Sequence, residues 1–146
     1  MKIQANIPLQ VAADEAVARI KQEMESRSYK VANELRNASL EVLRGQRHGR
    51  IYTVPGTRRK YTASAPGEPP ANRTGAFRLS WQPSAHVVFG SYISRIETNL
   101  RTDDGKYTLG DLLEEGTERM AARPYKDLIL EKAEPEIERI YSEPYF

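Results

Sequence analysis

The side chains best suited to bind a ligand are basic and lie close together in the sequence, between residues 44 and 60. They are Arg44, Arg47, Arg50, Arg58, Arg59 and Lys60. Guanidinium and ammonium groups bind phosphates without reading base sequence. For a single copy, a solvated surface loop explains this stretch equally well. In a ring, identical loops aimed at the axis would multiply the positive field around DNA, so we predict that these residues can face a DNA channel.

The residues that could perform catalysis or bind a metal lack the spacing that either task needs. The two histidines, His48 and His86, form no metal-ligand pattern. Adjacent carboxylates at residues 103–104 and 114–115 are explained by a turn and by a solvated helix end. Neither glycine-rich phosphate-binding pattern occurs in the sequence. We therefore expect a protein that is not an enzyme and that binds no cofactor and no metal.

Length and composition favour one domain, residues 1–146, without a membrane segment. A chain of 146 residues matches the commonest domain size of about 100 to 150 residues. The net charge of +2 is too small to identify a nucleic-acid-binding protein, and the lack of cysteine fits a reducing cytoplasm. The mean hydropathy of -0.65 is low for a free-standing domain, so neighbouring subunits can supply part of its stability. No stretch approaches the ~18 apolar residues of a membrane span, so we expect no membrane contact.

The first element that the pattern predicts is a long amphipathic helix over residues 14–43. Its apolar positions recur at steps of three, four or seven and are Val17, Ile20, Met24, Val31, Leu35, Ala38 and Val42. Thirty residues make a rod of roughly 45 Å, which is long for the core of one small domain. Either the helix breaks near residues 26–28, or part of its stripe meets another subunit.

Residues 46–75 are predicted to form a basic loop followed by an extended, proline-rich strap. The loop contains a short strand candidate at residues 51–54 and, with this much like charge, should be mobile unless an anion faces it. Prolines restrict residues 65–71 to an extended, polyproline-like path. The strap residues singled out are Pro66, Gly67, Glu68, Pro69 and Pro70. Because the strap is stiff and has no large apolar side chain, we predict that it clasps an adjacent subunit, and that deleting residues 66–71 spares the fold of the monomer.

The remaining pattern predicts a small antiparallel sheet over residues 76–100 and helices over residues 108–116 and 124–142. Residues 77–81 alternate as in a strand, although Thr74 could equally cap a short helix there. The expected fold is α+β, with a long N-terminal helix, a small antiparallel sheet, a C-terminal helix packed on the sheet, and the extended strap. Pro135 should kink the last helix, because proline removes one of its backbone hydrogen bonds.

Several motifs occur together in the C-terminal three-fifths of the chain. The stretch from Tyr61 to Gly75 contains the letters SAPGEPPA, and it is followed by residues 92–97, by LEEGT at residues 113–117 and by MAARPY at residues 120–125. In this order they resemble the neck or tail-completion family of lambdoid and related siphophages. Two departures are the longer segment at residues 99–107 and an N-terminal helix without a matching motif.

This resemblance implies a structural virion protein that acts in a ring, hexameric or dodecameric, around the DNA channel at the head-tail junction or the tail. Its partners would be copies of itself, phage connector, tail-terminator or tail-tube proteins, and non-specifically the channel DNA. It would assemble in the bacterial host cytoplasm and reside in the virion. A tail terminator or head-completion stopper is the neighbouring alternative, and a free basic nucleic-acid-binding protein is the alternative of another class.

Six residues in or near these motifs are predicted to be structural. They are Glu97, Glu114, Gly116, Thr117, Arg123 and Pro124. Gly116 would allow one helix to stop, and Pro124 would start the next. Arg123 would pair with Glu97, Glu114 or Glu115 to tie helix to sheet, or else be solvated.

Overall fold

A computed structural model describes residues 1–5 and 9–145, and in that part the chain forms four helices and two β-hairpins. The α+β class is confirmed, although two separate two-stranded antiparallel sheets replace the single sheet expected. The helices are α1 (Leu9–Val42), α2 (Ala76–Leu79), α3 (Leu109–Glu115) and α4 (Lys126–Ser142). The strands are β1 (Ile51–Thr53), β2 (Lys60–Thr62), β3 (Gln82–Val88) and β4 (Ser91–Glu97).

The long helix α1 runs without a break from residue 9 to residue 42. The break that we considered at residues 26–28 is therefore wrong. The polar residues there are accommodated within the helix: the Ser28 hydroxyl donates to the Glu25 carbonyl at 2.7 Å, and other groups bind neighbouring elements. The guanidinium of Arg27 donates to the carbonyls of Ile140 and Pro144 at 3.0 and 2.8 Å, and the Ser28 carbonyl accepts from Ser94 at 2.7 Å.

Both α4 and the β3-β4 hairpin pack on α1, which is the centre of the fold. We expected α4 to pack mainly on the sheet, but its principal neighbour is α1. The reason is that two apolar stripes match: Val31 and Leu35 of α1 share a core with Ile129, Ala133 and Ile140 of α4. Burial of this shared stripe is the main stabilising contribution, at roughly 25 cal/mol per Å² of apolar surface.

The segment from residue 76 to residue 81 contains the short helix α2, so the strand predicted there is wrong and the alternative helix is confirmed. Gly75 precedes it with a φ of 85°, a left-handed conformation that glycine adopts at little cost. In a strand, Leu79 would share a face with Phe77 and Trp81, yet Leu79 is 56% exposed. Both aromatic rings instead turn inward and pack edge-to-face against Tyr125, with ring centroids 5.6 and 5.8 Å away.

The two last helices begin close to their predicted positions. Thr108 precedes α3 but forms no side-chain cap. The helix α4 begins at Lys126, two residues after Pro124, and continues through Pro135 to Ser142. Its first turn is capped by Glu114, whose carboxylate accepts the backbone N-H groups of Tyr125 and Lys126 at 2.8 and 3.2 Å. An acidic cap at this end also suits the helix dipole.

Candidate functional site

The predicted basic loop is an ordered β-hairpin, residues 50–62, which we call the basic hairpin. Strands β1 and β2 pair in antiparallel register, with Tyr52 opposite Tyr61. Val54 is buried, and its N-H donates to the Arg59 carbonyl at 2.8 Å. The stretch that we expected to be a loop with one short strand is therefore a two-stranded hairpin, which the turn after Val54 closes. Its basic side chains Arg50, Arg58, Arg59 and Lys60 are exposed, as is Arg44 at the end of α1.

Arg47 does not belong with these exposed cations, because its side chain is only 8% exposed. Its guanidinium donates to the carbonyls of Val42, Pro69 and Pro70 at 2.7, 2.7 and 3.0 Å. The Val42 carbonyl lies in the last turn of α1, where no partner exists within the helix. Burial lowers the pKa of Arg47, and the nearby Glu68 carboxylate opposes that change. A DNA-facing role for Arg47 is therefore wrong, since it joins α1 to the strap.

The strap, residues 65–71, lies along its own chain. The Glu68 carboxylate accepts the backbone N-H groups of Ala65 and His48 at 2.8 and 3.0 Å and contacts the His48 ring. On its other side, the Gly67 N-H donates to the Ala122 carbonyl at 3.2 Å. Deletion of residues 66–71 would remove these contacts, and the expectation that the monomer still folds without them stays a prediction. Contact of the outer edge, where Pro66 and Gly67 are exposed, with a neighbouring subunit stays a prediction.

We expect the contribution of Glu68 to stability to depend on pH. Backbone N-H groups of Ala65 and His48, followed by the His48 side chain, lower the pKa of Glu68 from 4.5 to about 2. A carboxyl whose pKa is depressed by folding stabilises the protein above its unfolded pKa and ceases to do so as the pH falls to its folded pKa. Chemical denaturation should therefore find Glu68→Gln less stable than wild type at pH 7, with a difference that shrinks between pH 4.5 and about 2.

The matched control is Glu118→Gln, since Glu118 is an exposed carboxylate that lies close in sequence to the strap's partner Ala122. This variant should unfold at the same denaturant concentration as wild type at pH 7. A Glu68→Gln deficit that stays constant down to pH 2 would contradict the role assigned to the carboxylate.

Gly116 has the structural role predicted from its motif. Its φ of 81° favours glycine, and a Cβ atom there would lie 2.7 Å from the Ala122 nitrogen. The Gly116 N-H donates to the Leu112 carbonyl at 2.9 Å and ends α3. Thr117 then forms a tight turn with Met120, whose carbonyl accepts the Thr117 N-H at 2.8 Å.

The ion pair predicted for Arg123 is absent from the described residues. The Arg123 guanidinium donates to the Ala121 carbonyl at 3.2 Å, and its backbone N-H donates to the Leu113 carbonyl at 2.6 Å. Glu97 pairs instead with Arg95 at 2.8 Å, and Glu114 caps α4. The prediction was wrong because Arg123 and Glu114 both have backbone groups as partners, and sequence patterns do not reveal such partners.

Sequence reasoning missed a set of arginines that bind backbone carbonyls of other elements. Besides Arg27 and Arg47, Arg36 donates to the Trp81 carbonyl at 3.0 Å and Arg78 to the Leu40 carbonyl at 2.8 Å. A signal was present for Arg27, which lies four residues before Val31 and so occupies the apolar stripe of α1. These four arginines therefore stabilise the fold, although a count of basic residues would suggest that they are free to bind a ligand.

A groove of about 570 Å³ lies beside the strap, and we call it the strap groove. Its volume is in the range of ligand sites. Apolar side chains from several elements line it, namely Leu43, Phe77, Leu109, Leu113 and Met120. Four guanidinium side chains also line it, those of Arg73, Arg78, Arg101 and Arg123. None of these four forms a salt bridge within residues 1–5 and 9–145.

Two apolar surfaces of the chain are left uncovered. The first is the N-terminal part of α1, residues 9–22, which we call the α1 overhang; there Val17 and Ile20 are 49% and 41% exposed. The second is the tip of the β3-β4 hairpin, where Phe89 is fully exposed. The two surfaces are neighbours, because the Tyr92 hydroxyl donates to the Lys21 carbonyl at 3.3 Å. Contiguous exposed apolar surface marks sites of interaction.

The part of the chain that the structure describes contains neither a metal-binding group of side chains nor a membrane-spanning helix. No group of three His, Cys, Asp or Glu side chains in it could hold a metal ion. None of its described helices combines the length and the apolar character needed to cross a bilayer. Comparisons with protein-family models, with curated proteins and with solved structures give no match.

Proposed function

We propose that this protein is a structural subunit of the bacteriophage head-tail neck, which completes or joins the tail as part of a ring around the DNA channel. The observation that carries the proposal is the uncovered stripe on the α1 overhang. The exposed Val17 and Ile20, followed by the half-buried Met24, continue the spacing of the buried Val31 and Leu35 along one helix face. A helix that keeps its apolar stripe beyond its own domain supports burial against a neighbouring subunit.

The motifs behind the family resemblance also support the proposal, because they meet in space although they are far apart in sequence. The strap contacts the segment that precedes the last helix, through the Gly67 N-H and the Ala122 carbonyl. Gly116 of the LEEGT motif lies against the same Ala122. One corner of the fold therefore unites the strap, the LEEGT motif and the MAARPY motif. Such a corner is a reason for these short motifs to occur together.

In the proposed assembly, the basic hairpin faces the DNA channel. No acidic residue occurs between residue 45 and residue 67, so identical hairpins in a hexamer or dodecamer would surround the axis with positive charge. The exposed Arg58 and Lys60 would contact phosphates without sequence preference. Connector, tail-terminator or tail-tube proteins would bind the faces of the ring. The proposed location is the virion, after assembly in the bacterial host cytoplasm.

Immunogold labelling of phage particles tests this proposal. Gold label should lie at the head-tail junction of wild-type particles, and deletion of the gene should yield filled heads and separate tails. Label at the distal tail surface, or infectious particles made without the gene, would contradict a neck role. The position of the label along the axis also distinguishes a neck subunit from a tail terminator or a head-completion stopper.

A second candidate is a free nucleic-acid-binding protein, which the exposed basic hairpin with its exposed Tyr52 favours. Such a protein would bind short duplex DNA as a monomer, with an affinity that falls steeply with salt. The variant Arg58→Glu/Lys60→Glu would then lose binding, whereas Lys126→Glu/Lys132→Glu on α4 would not. Tight monomer binding of this kind, without assembly, would favour this candidate over the neck.

A further inference from the structure

We propose that the α1 overhang of one copy docks in the strap groove of a second copy, so that the subunits associate head to tail. This inference rests on the self-assembly in the proposed function and does not depend on where the assembly resides. It names both halves of the interface and the chemistry that joins them.

The strap groove requires an occupant that is both apolar and anionic. Its lining includes Leu43, Phe77 and Leu113, which favour apolar side chains. Four arginines also line it, against one carboxylate, Asp103, and none of the four forms a salt bridge among the described residues. Arg78 and Arg123 donate to backbone carbonyls, which leaves their positive charge without an acidic partner. Guanidinium groups bind carboxylates through strong, charge-assisted hydrogen bonds. A cationic rim of this kind favours an acidic segment.

The first ten residues of the α1 overhang, which precede its basic residues Arg19 and Lys21, have the complementary composition. From residue 9 to residue 18 its only charged side chains are Asp14 and Glu15, and both are exposed. The other residues of these turns are Leu, Val, Ala and Gln, which present an apolar surface to a groove. A helix with this pattern matches a well-known recognition mode, in which an apolar face enters a groove and flanking charges fix its orientation.

The overhang cannot reach the strap groove of its own chain. Leu43, which lines the groove, follows the end of α1, and the overhang ends at residue 22 of the same unbroken helix. Twenty-one residues at ~1.5 Å each hold the two surfaces roughly 30 Å apart. Two different surfaces at opposite ends of a rigid helix can meet only between copies. Such a contact is heterologous, so it closes into a ring when the rotation between subunits permits.

Two complementary variants test this interface by light scattering after size-exclusion chromatography. The overhang variant is Asp14→Lys/Glu15→Lys, and the groove variant is Arg73→Glu/Arg101→Glu, in which every replaced side chain is exposed. Each variant alone should lose assembly and elute as the 16.6 kDa monomer. An equimolar mixture should co-assemble as wild type does, because the intact overhang of the groove variant fits the intact groove of the overhang variant. The lysine-bearing overhang likewise fits the glutamate-bearing groove.

The matched control changes two exposed carboxylates elsewhere, Glu134→Lys/Glu138→Lys on α4, and should assemble as wild type does. A chain that carries both pairs of reversed charges should regain assembly, which separates a lost interface from a lost fold. Circular dichroism should give the same helix content for all variants. Assembly of the groove variant alone would indicate overhang-to-overhang pairing and overturn the inference, as would a mixture that remains monomeric.

The two proposals can fail separately. Label at the neck of particles, together with normal assembly of the groove variant, would remove the docking inference and leave the proposed function. Co-assembly of the two variants in the mixture, together with absence of the protein from particles, would remove the neck role and leave the interface.

Discussion

Replacement of Tyr125 by alanine is expected to lower the free energy of unfolding by about 4 kcal/mol. The side chain is 1% exposed and packs between Phe77 and Trp81 at the centre of the core. Its removal leaves a cavity between the rings of Phe77 and Trp81 and the neighbouring core side chains. Urea denaturation followed by tryptophan fluorescence measures the effect, since Trp81 is the only tryptophan of the chain and lies in contact with the site.

The conservative variant Tyr125→Phe should lose only about 1 kcal/mol, the typical net contribution of one hydrogen bond. In the wild-type protein, the Tyr125 hydroxyl donates to the buried Gly110 carbonyl at 2.9 Å. Burial, with smaller contributions from Glu114 and Asp111, raises the pKa of Tyr125, so the hydroxyl keeps its proton and remains a donor at physiological pH. Tyr107→Ala, at an exposed tyrosine, is the control and should leave stability unchanged. Equal losses for alanine and phenylalanine would contradict a packing role.

Replacement of Arg47 by alanine is expected to cost about 3 kcal/mol, because buried carbonyls lose charged hydrogen-bond donors. The carbonyls of Val42, Pro69 and Pro70 would be left without their partner. Since Arg47 fixes the strap to α1, the loss should also release the strap. Hydrogen exchange should then increase at Ala65 and Gly67, while the amides in the middle of α1 remain protected.

Arg47→Lys should restore little of this stability, because an ammonium group cannot present the planar set of donors that binds three carbonyls. Arg44→Ala, at an exposed arginine three residues earlier, is the control and should behave as wild type. Unchanged exchange in the strap of Arg47→Ala would show that other contacts hold it.

The helices were predictable because burial of one face imposes a periodic pattern on the sequence. Residues 14–43 and 124–142 carry apolar side chains at helical spacing, and α1 and α4 form there. The pattern does not reveal which face meets which neighbour, so α4 was assigned to the sheet. Residues 77–81 were ambiguous because Phe77 and Trp81 share a face in a strand as well as in a helix.

The polar contacts that hold the fold together were not predictable in the same way. Three arginines bind carbonyl groups of distant segments. The sequence separation is 22 residues for Arg47, 38 for Arg78 and 117 for Arg27. A carbonyl exists at every residue, so no sequence feature marks the one that an arginine will bind. For this reason Arg47 was assigned to DNA and Arg123 to a carboxylate partner.

The candidate site was only partly predictable for a related reason. The overhang follows from the length of α1, since one small domain cannot cover a stripe of that extent. The strap groove, by contrast, combines Arg73, Arg101 and Arg123 from separate segments with the end of α1. Its cationic rim forms only after the chain has folded, so composition alone gives no sign of it.

The central claim is that the uncovered faces of this chain are buried against other copies of itself. The most direct test is the mass of the purified protein in solution, measured by light scattering over a wide range of concentrations. We expect a closed assembly of six or twelve 16.6 kDa chains, which Val17→Ser/Ile20→Ser should reduce to smaller species. A wild-type protein that remains a 16.6 kDa monomer at every concentration would contradict the account.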